Sequence, residues 1–182
     1  MKISVIIPSN NEEKYIAELL EYISAHTKKH NIKKIIVVDT FSTDNTVKIA
    51  EKAHAKLYRS KPRDMKIQME IGAFQAKAEV LYFIKPGCFP PPHFDERILH
   101  AVKTKYLTGI PGKETTLNKA HLFFNKICSL FNMKFTNSRM QTLFIVRGLF
   151  HQVGGFNGNE TNDAFADLLS ITYYIAHGIR FL

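Results

Sequence analysis

Asp39 closes the apolar run Ile35-Ile36-Val37-Val38 and is followed by Ser42-Thr43-Asp44. A carboxylate at the end of a buried strand can accept hydrogen bonds from a base or a ribose, and free N–H groups at a nearby helix start can meet phosphate. The plainer reading is an Asx residue that shapes a turn, and on these residues alone both readings stand. Two other segments also follow apolar runs, Pro8-Ser9-Asn10-Asn11 after Ile3 to Ile7 and Lys85-Pro86-Gly87-Cys88 after Val80 to Ile84. His26 and His30 form an i, i+4 pair, but Lys28 and Lys29 lie between them near a helix end, which favours solvated side chains over metal ligands. Cys88 and Cys128 have neither metal-ligand spacing nor a disulfide framework around them, so two reduced thiols in a cytoplasm are expected. No nucleophile elbow and no Walker-type phosphate loop is present in the sequence.

Positioning these residues requires strands. Ile3 to Pro8 reads as a strand buried on both faces and stopped by its proline. Ser9-Asn10-Asn11 then offers turn and cap chemistry before a helix marked by Tyr15, Ile16, Leu19, Leu20 and Ile23. Ile35 to Val38 is a second strand, Ser42-Thr43-Asp44 supplies N-cap candidates for a helix with Val47, Ile49 and Ala50, and Leu57-Tyr58 is a short third strand. Met65 to Ala78 reads as a helix, Val80 to Ile84 as a strand and Phe94 to Val102 as a helix. Gly109 to Gly112 reads as a loop, Leu117 to Phe131 as a basic amphipathic helix, Thr142 to Val146 as a strand and Leu168 to Ala176 as a last helix. Strands alternating with helices imply an α/β fold with a parallel sheet. Ligands of such sheets bind beyond the carboxyl ends of the strands, where Asp39, Pro8 to Asn11 and Lys85 to Cys88 would converge.

The 182 residues favour one domain, and 45% hydrophobic with 23% charged residues excludes a disordered chain. The net charge of +9 favours an anionic partner without choosing among nucleic acid, anionic lipid and nucleotide phosphate. No recognised fold motif supports nucleic acid. No apolar run reaches the roughly 18 residues of a spanning helix, so neither an anchor nor a signal peptide is expected. The stretch holding Lys119, Phe123, Phe124, Lys126, Phe131, Lys134 and Phe135 reads as a core-facing helix with a solvated basic edge, or else as a peripheral contact with an anionic membrane on its inner face.

Ser4-Val5-Ile6-Ile7-Pro8-Ser9-Asn10-Asn11-Glu12-Glu13, followed by Ile36-Val37-Val38-Asp39 and Ser42-Thr43-Asp44-Asn45-Thr46, resembles the opening of family 2 glycosyltransferases. Further on, Pro62-Arg63, Gln68-Met69, Gly72-Ala73, Gln141, Arg147 and Val153-Gly154-Gly155-Phe156 resemble a bacterial subgroup of that family. The resemblance implies the GT-A fold, a Rossmann-like three-layer αβα sandwich with a mostly parallel central sheet. It also implies one domain over residues 1–182, with a nucleotide-binding half at 1–89 and an acceptor-binding half at 90–182. By the same carry-over Pro8, Asn11, Glu12, Asp39 and Arg63 surround the nucleotide, Gln141 lies on the acceptor side and Asp167 is the catalytic base, with Asp163 as a competing alignment. On the residues alone, Asp163 caps a helix and Asp167 is a solvated first-turn residue.

One departure bears on chemistry. Where the family carries an Asp-x-Asp or His-x-Asp that holds a divalent metal, this chain has Lys85-Pro86-Gly87. Mg²⁺ and Mn²⁺ take oxygen ligands, so no metal site is expected in the usual mode. Lys85 is then either a cation standing in for the metal against the diphosphate or a surface residue of a decayed loop. The resemblance thus implies an inverting transfer of sugar from a nucleoside diphosphate sugar to a hydroxyl, impaired or metal-independent. The alternative is an inactive pseudoenzyme that serves as a nucleotide-binding or protein-interaction module. A short acceptor half would limit acceptor size or call for a partner subunit, such as a second copy of the chain.

Overall fold

β1 (Ile3–Ser9) is buried along its whole length and runs through Pro8 rather than stopping there. The reason lies in its two neighbours. β1 pairs in parallel with β2 (Ile32–Asp39) as far as Ser9↔Asp39, but with β4 (Val80–Ile84) only as far as Ile6↔Phe83. Ile3 donates toward β2 and Lys2 accepts from β4, so even-numbered positions face β4. Pro8, which has no N–H, therefore faces a stretch where β4 pairing has already ended. The computed structural model describes residues 1–61, 63–104, 106–109, 142–152 and 154–156. The sequence-derived helices at Leu117 to Phe131 and Leu168 to Ala176, together with Gln141, Asp163 and Asp167, lie outside these.

Among the described residues the sheet has six strands in the order β3-β2-β1-β4-β6-β5, where β3 is Lys56–Arg59, β5 Thr108–Gly109 and β6 Thr142–Val146. β3, β2, β1 and β4 are mutually parallel, whereas β6 is antiparallel to β4 and β5 antiparallel to β6. Gly109, expected in a loop, is instead paired with Phe144 in β5. A Cβ at this position would lie 3.0 Å from the Phe144 ring, so the absence of a side chain is what lets the backbone settle there.

Strand alternation divides the core in two. Ile3, Val5, Ile7, Val80, Tyr82 and Ile84 face α1 (Glu13–His26), α2 (Thr46–Lys52) and α4 (Phe94–Lys103). Ile6, Ile36, Val38, Leu81 and Phe83 face α3 (Met65–Gln75) and α5 (Arg147–Gln152). The result is a three-layer αβα sandwich around a mostly parallel sheet. α3 ends three residues sooner than its periodicity suggests because Ala76 turns to an extended backbone, with ψ 135°. His26 stacks on Tyr22 at 4.0 Å, and His30 falls beyond the end of α1, so the two histidines do not share a helix face.

Tyr82 is fully buried, and its hydroxyl has no hydrogen bond of good geometry although the Thr142 side chain lies alongside. Burial drives its ionisation far above the ordinary tyrosine range. A buried hydroxyl left unpaired costs about 1–3 kcal/mol. Tyr82→Phe is therefore expected to leave stability unchanged or raise it by about 1 kcal/mol, as measured by thermal denaturation.

Candidate active site at the strand carboxyl ends

Two loops leave the sheet side by side, one after β1 and one after β2, and each caps the helix that follows the other. Neither Glu12 nor Asn45, the residues that precede α1 and α2, caps its own helix through its side chain. Instead Glu12 N donates to Thr46 Oγ1 at 2.8 Å and Glu13 N to Asp44 Oδ2 at 3.0 Å. In return Asn45 N donates to Glu13 Oε2 at 2.9 Å, and Thr43 N to Asn11 Oδ1 at 2.8 Å. The cap chemistry expected from Ser9-Asn10-Asn11 and Ser42-Thr43-Asp44 is thus exchanged between loops 31 to 34 residues apart in sequence, while Asp44 Oδ1 also accepts from Thr46 N of its own helix at 3.0 Å. Both helix N-termini are pinned at one end of the sheet.

Asp39 is wholly buried beneath them. Its Oδ1 accepts from Ser9 Oγ at 3.2 Å and from the Ser42 hydroxyl in a short contact; its Oδ2 accepts from Ser42 N and Arg59 Nη1, each at 2.9 Å. The turn-forming role and a polar-site role therefore coexist in one carboxylate. Arg59 is the residue that sequence reasoning missed. Register pairs Asp39 with Arg59 across β2 and β3, a signal that becomes visible only once the two strands are aligned. The Arg59 guanidinium also lies over the Phe41 ring at 5.6 Å. Phe41 is 55% exposed and holds a left-handed backbone with φ 55°, a conformation costly for a bulky residue.

Gln68 ties the two strand ends from below. Its Nε2 donates to Ser9 O at 2.9 Å and to Val38 O at 2.7 Å, in a buried setting. Pro8 is buried in β1, Asn11 is used by the loop, and Arg63 is exposed just ahead of α3. Beyond β4, Pro86-Gly87 turns the chain with Gly87 at φ 80° against the Tyr15 ring of α1. There Lys85 and Glu12 both act on the Cys88 thiol. Burial raises its pKa, Lys85 lowers it and Glu12 raises it further; Lys85 and Cys88 follow β4 and Glu12 follows β1, on either side of the crevice between the two strands. The chain leaves β1 toward β2 on one side and later returns to β4 on the other, which makes this crevice the topological switch point of the sheet.

Glu12 is held above the ordinary glutamate range, first by partial burial and then by the Asp44 carboxylate. Asp44 is itself lowered: its desolvation is outweighed by hydrogen bonds from Thr46 and Glu13. A carboxyl whose pKa rises on folding opposes folding above the folded pKa, and this penalty vanishes below the unfolded value. Glu12→Gln is therefore expected to raise the melting temperature at pH 7. The difference from wild type should fade as pH falls below the ordinary glutamate value of 4.5.

Comparison with known proteins bears on this geometry. The family model described as glycosyl transferase family 2 matches residues 4–153. The chain belongs to glycosyltransferase family 2. Among curated family members, an uncharacterized glycosyltransferase of Nostoc sp. is 31% identical over 136 residues, covering 66% of this chain and 41% of that protein. The poly(ribitol-phosphate) beta-N-acetylglucosaminyltransferase TarS of Staphylococcus aureus is 46% identical over 57 residues, 31% of this chain and 10% of that protein. The crystal structure of S. aureus TarS 1–349 in complex with UDP superimposes with a TM-score of 0.69 at 20% identity, over 95% of this chain and 55% of that one. Glucosyl-3-phosphoglycerate synthase of Mycobacterium tuberculosis, solved with Mn²⁺, UDP and glucosyl-3-phosphoglycerate, gives 0.59 at 19% identity, over 82% of this chain and 58% of that one. The fold is GT-A. The chain spans less than two thirds of the length of each of these proteins.

A GT-A family 2 site implies a divalent cation at the end of β4. The described residues at that strand end do not fit one. Lys85-Pro86-Gly87 offers an ammonium group and no carboxylate, and among the described residues no three His, Cys, Asp or Glu side chains converge. Among those residues, too, no helix is long and apolar enough to cross a membrane.

Proposed function

We propose that this chain binds a nucleoside diphosphate sugar across the carboxyl ends of β1, β2 and β4 and passes the sugar to a hydroxyl acceptor with inversion, without a divalent metal. The observation that carries the reading is the Asp39 cluster: a buried carboxylate at the switch-point end of the sheet, held by Ser9, Ser42 and Arg59 beside two pinned helix N-termini. UDP is the first nucleotide to test, because solved structures of TarS and of the mycobacterial synthase contain it. In this reading Pro8, Asn11 and Glu12 line the nucleotide, and Asp39 orients the base edge through Arg59 and Ser42. Lys85 and Arg63 offset the diphosphate charge.

In the transfer, the acceptor oxygen bonds to the anomeric carbon as the bond from that carbon to the diphosphate oxygen breaks. The bonding electrons leave with the diphosphate, and the acceptor proton passes to the Asp167 carboxylate, with Gln141 on the acceptor side. A polyol phosphate is the first acceptor to try, given the name of TarS. Such donors are cytoplasmic metabolites, so we place the chain in the cytoplasm.

Lys85-Pro86-Gly87 also supports a second reading, a nucleotide-binding module without turnover. Titration calorimetry of UDP, GDP and their sugars, with and without Mn²⁺, followed by a transfer assay, separates the two. Metal-independent binding weakened by Lys85→Ala, with slow turnover lost in Asp167→Asn, supports the transferase. Binding without turnover supports the module. Absence of binding, or binding that requires Mn²⁺, overturns the metal-free nucleotide site.

A further inference from the structure

Along the β2–β3 edge, from the amino end of β2 to Tyr58, a groove of about 420 Å³ opens beside the end of α3. Its lining is Lys33, Lys34, Lys56, Lys77, Tyr58 and Gln75, with Ile36 at its base. The four ammonium groups share this groove with no acidic side chain among its lining residues, and none of them forms an ion pair with a described residue. Like charges gathered without a counterion are stable only in the company of water or an external anion. Lys33 lies six residues before Asp39 on β2, so roughly 20 Å of strand separates it from the strand carboxyl end, while the groove comes nearest to that end at Tyr58, which pairs with Val38.

Beside the groove, α3 carries apolar residues on the side that does not face the sheet. Gln68, Met69, Gly72 and Ala73 are buried against β1 and β2, whereas Ile67 is 38% exposed and Phe74 80% exposed, with half-buried Ile71 between them. The spacing Ile67, Ile71, Phe74 is i, i+4, i+7, one side of a helix, with Ile71 packed in part against the core and Ile67 and Phe74 left exposed. Phe74 precedes Gln75, which lines the groove, so the exposed apolar residues and the lysines come together at the end of α3. Glu70, the acidic residue within the stripe's span, is engaged by Phe156 N at 3.0 Å.

We propose that this surface docks the domain on an anionic lipid bilayer, with Phe74 and Ile67 entering the acyl boundary and Lys33, Lys34, Lys56 and Lys77 meeting the headgroup phosphates. Charge complementarity selects an anionic partner. The apolar stripe selects a bilayer over a soluble polyanion, which would have no use for an exposed phenylalanine. The surface is distinct from the Lys119 to Phe135 stretch, which lies outside the described residues.

The test is co-sedimentation of the full chain with vesicles of equal parts phosphatidylglycerol and phosphatidylcholine, against pure phosphatidylcholine. Partition onto the anionic vesicles alone is expected. Each lysine near an anionic surface is worth roughly fivefold in partition, so joint Lys33→Glu, Lys34→Glu, Lys56→Glu and Lys77→Glu should lower it by more than about a hundredfold. Phe74→Ser should lower it about tenfold. All five are surface positions, and unchanged melting temperatures establish that the variants fold. The chain contains no tryptophan, so Phe74→Trp gives a single reporter whose emission should shift to the blue on anionic vesicles.

The proposal is overturned by failure of the wild type to partition, or by an equal loss on reversing Lys48 and Lys103 in the other helical layer. It is also overturned if inorganic polyphosphate binds through the groove lysines while Phe74→Ser has no effect on vesicles, which would make the groove a site for a soluble polyanion. None of these outcomes depends on nucleotide binding.

Discussion

Asp39→Ala is expected to destabilise the domain by about 2–4 kcal/mol and to abolish nucleotide binding. Removing the carboxylate strands the Ser9 and Ser42 hydroxyls, the Ser42 N–H and the Arg59 guanidinium, three of them in partly or fully buried settings. Arg59 is 45% exposed and regains water, which keeps the loss below that of a fully buried ion pair. A melting temperature lower by about 5–15 °C would accompany it. Arg59→Ala leaves the two serines to satisfy Asp39 and should cost only about 1 kcal/mol. Thermal denaturation of both variants with UDP calorimetry checks this, and equal melting temperatures for Asp39→Ala and wild type would refute the network.

Gly72→Val is expected to prevent folding, and Gly72→Ala to destabilise by about 1–2 kcal/mol despite the helix-propensity gain of about 1 kcal/mol. Gly72 is the point at which α3 lies closest to the sheet. A Cβ there would overlap Ile6 Cγ2 and come within 3.4 Å of Ile6 Cγ1 and Val38 Cγ2. Ile6 and Val38 are fully buried, branched at Cβ and held in paired strands, so they have little room to yield. The helix must move instead, and Gln68, one turn earlier, then loses Ser9 O and Val38 O. Solubility of Gly72→Val and a melting curve for Gly72→Ala decide the matter; wild-type stability in both would show that α3 does not pack so closely.

The order of elements from β1 to α4 was legible because each has an apolar pattern independent of its partners. β1, β2 and β4 are built around short runs of Ile, Val, Leu and aromatic residues, and α1 repeats its apolar residues at helical spacing. The position of Asp39 followed from the strand that it ends. Other features depended on what lay opposite. Pro8 does not end β1 because β4 pairing stops first, and Gly109 joins a strand because Phe144 fills the space beside it. Arg59, four residues before the quoted Arg63, carried no local signal; only the register of β3 on β2 brings it to Asp39.

The sequence by itself determined the αβα class, the family and the loops that would meet at one end of the sheet. Local periodicity and strand-end chemistry are properties of short segments. Tertiary structure decided which side chains satisfy which. The caps of α1 and α2 are exchanged between loops, Asp39 is shared by Ser9, Ser42 and Arg59, and four lysines from β2, β3 and the end of α3 share one groove. These pairings join residues some 20 to 60 positions apart. Their partners are fixed by sheet register and helix packing, which no short segment encodes.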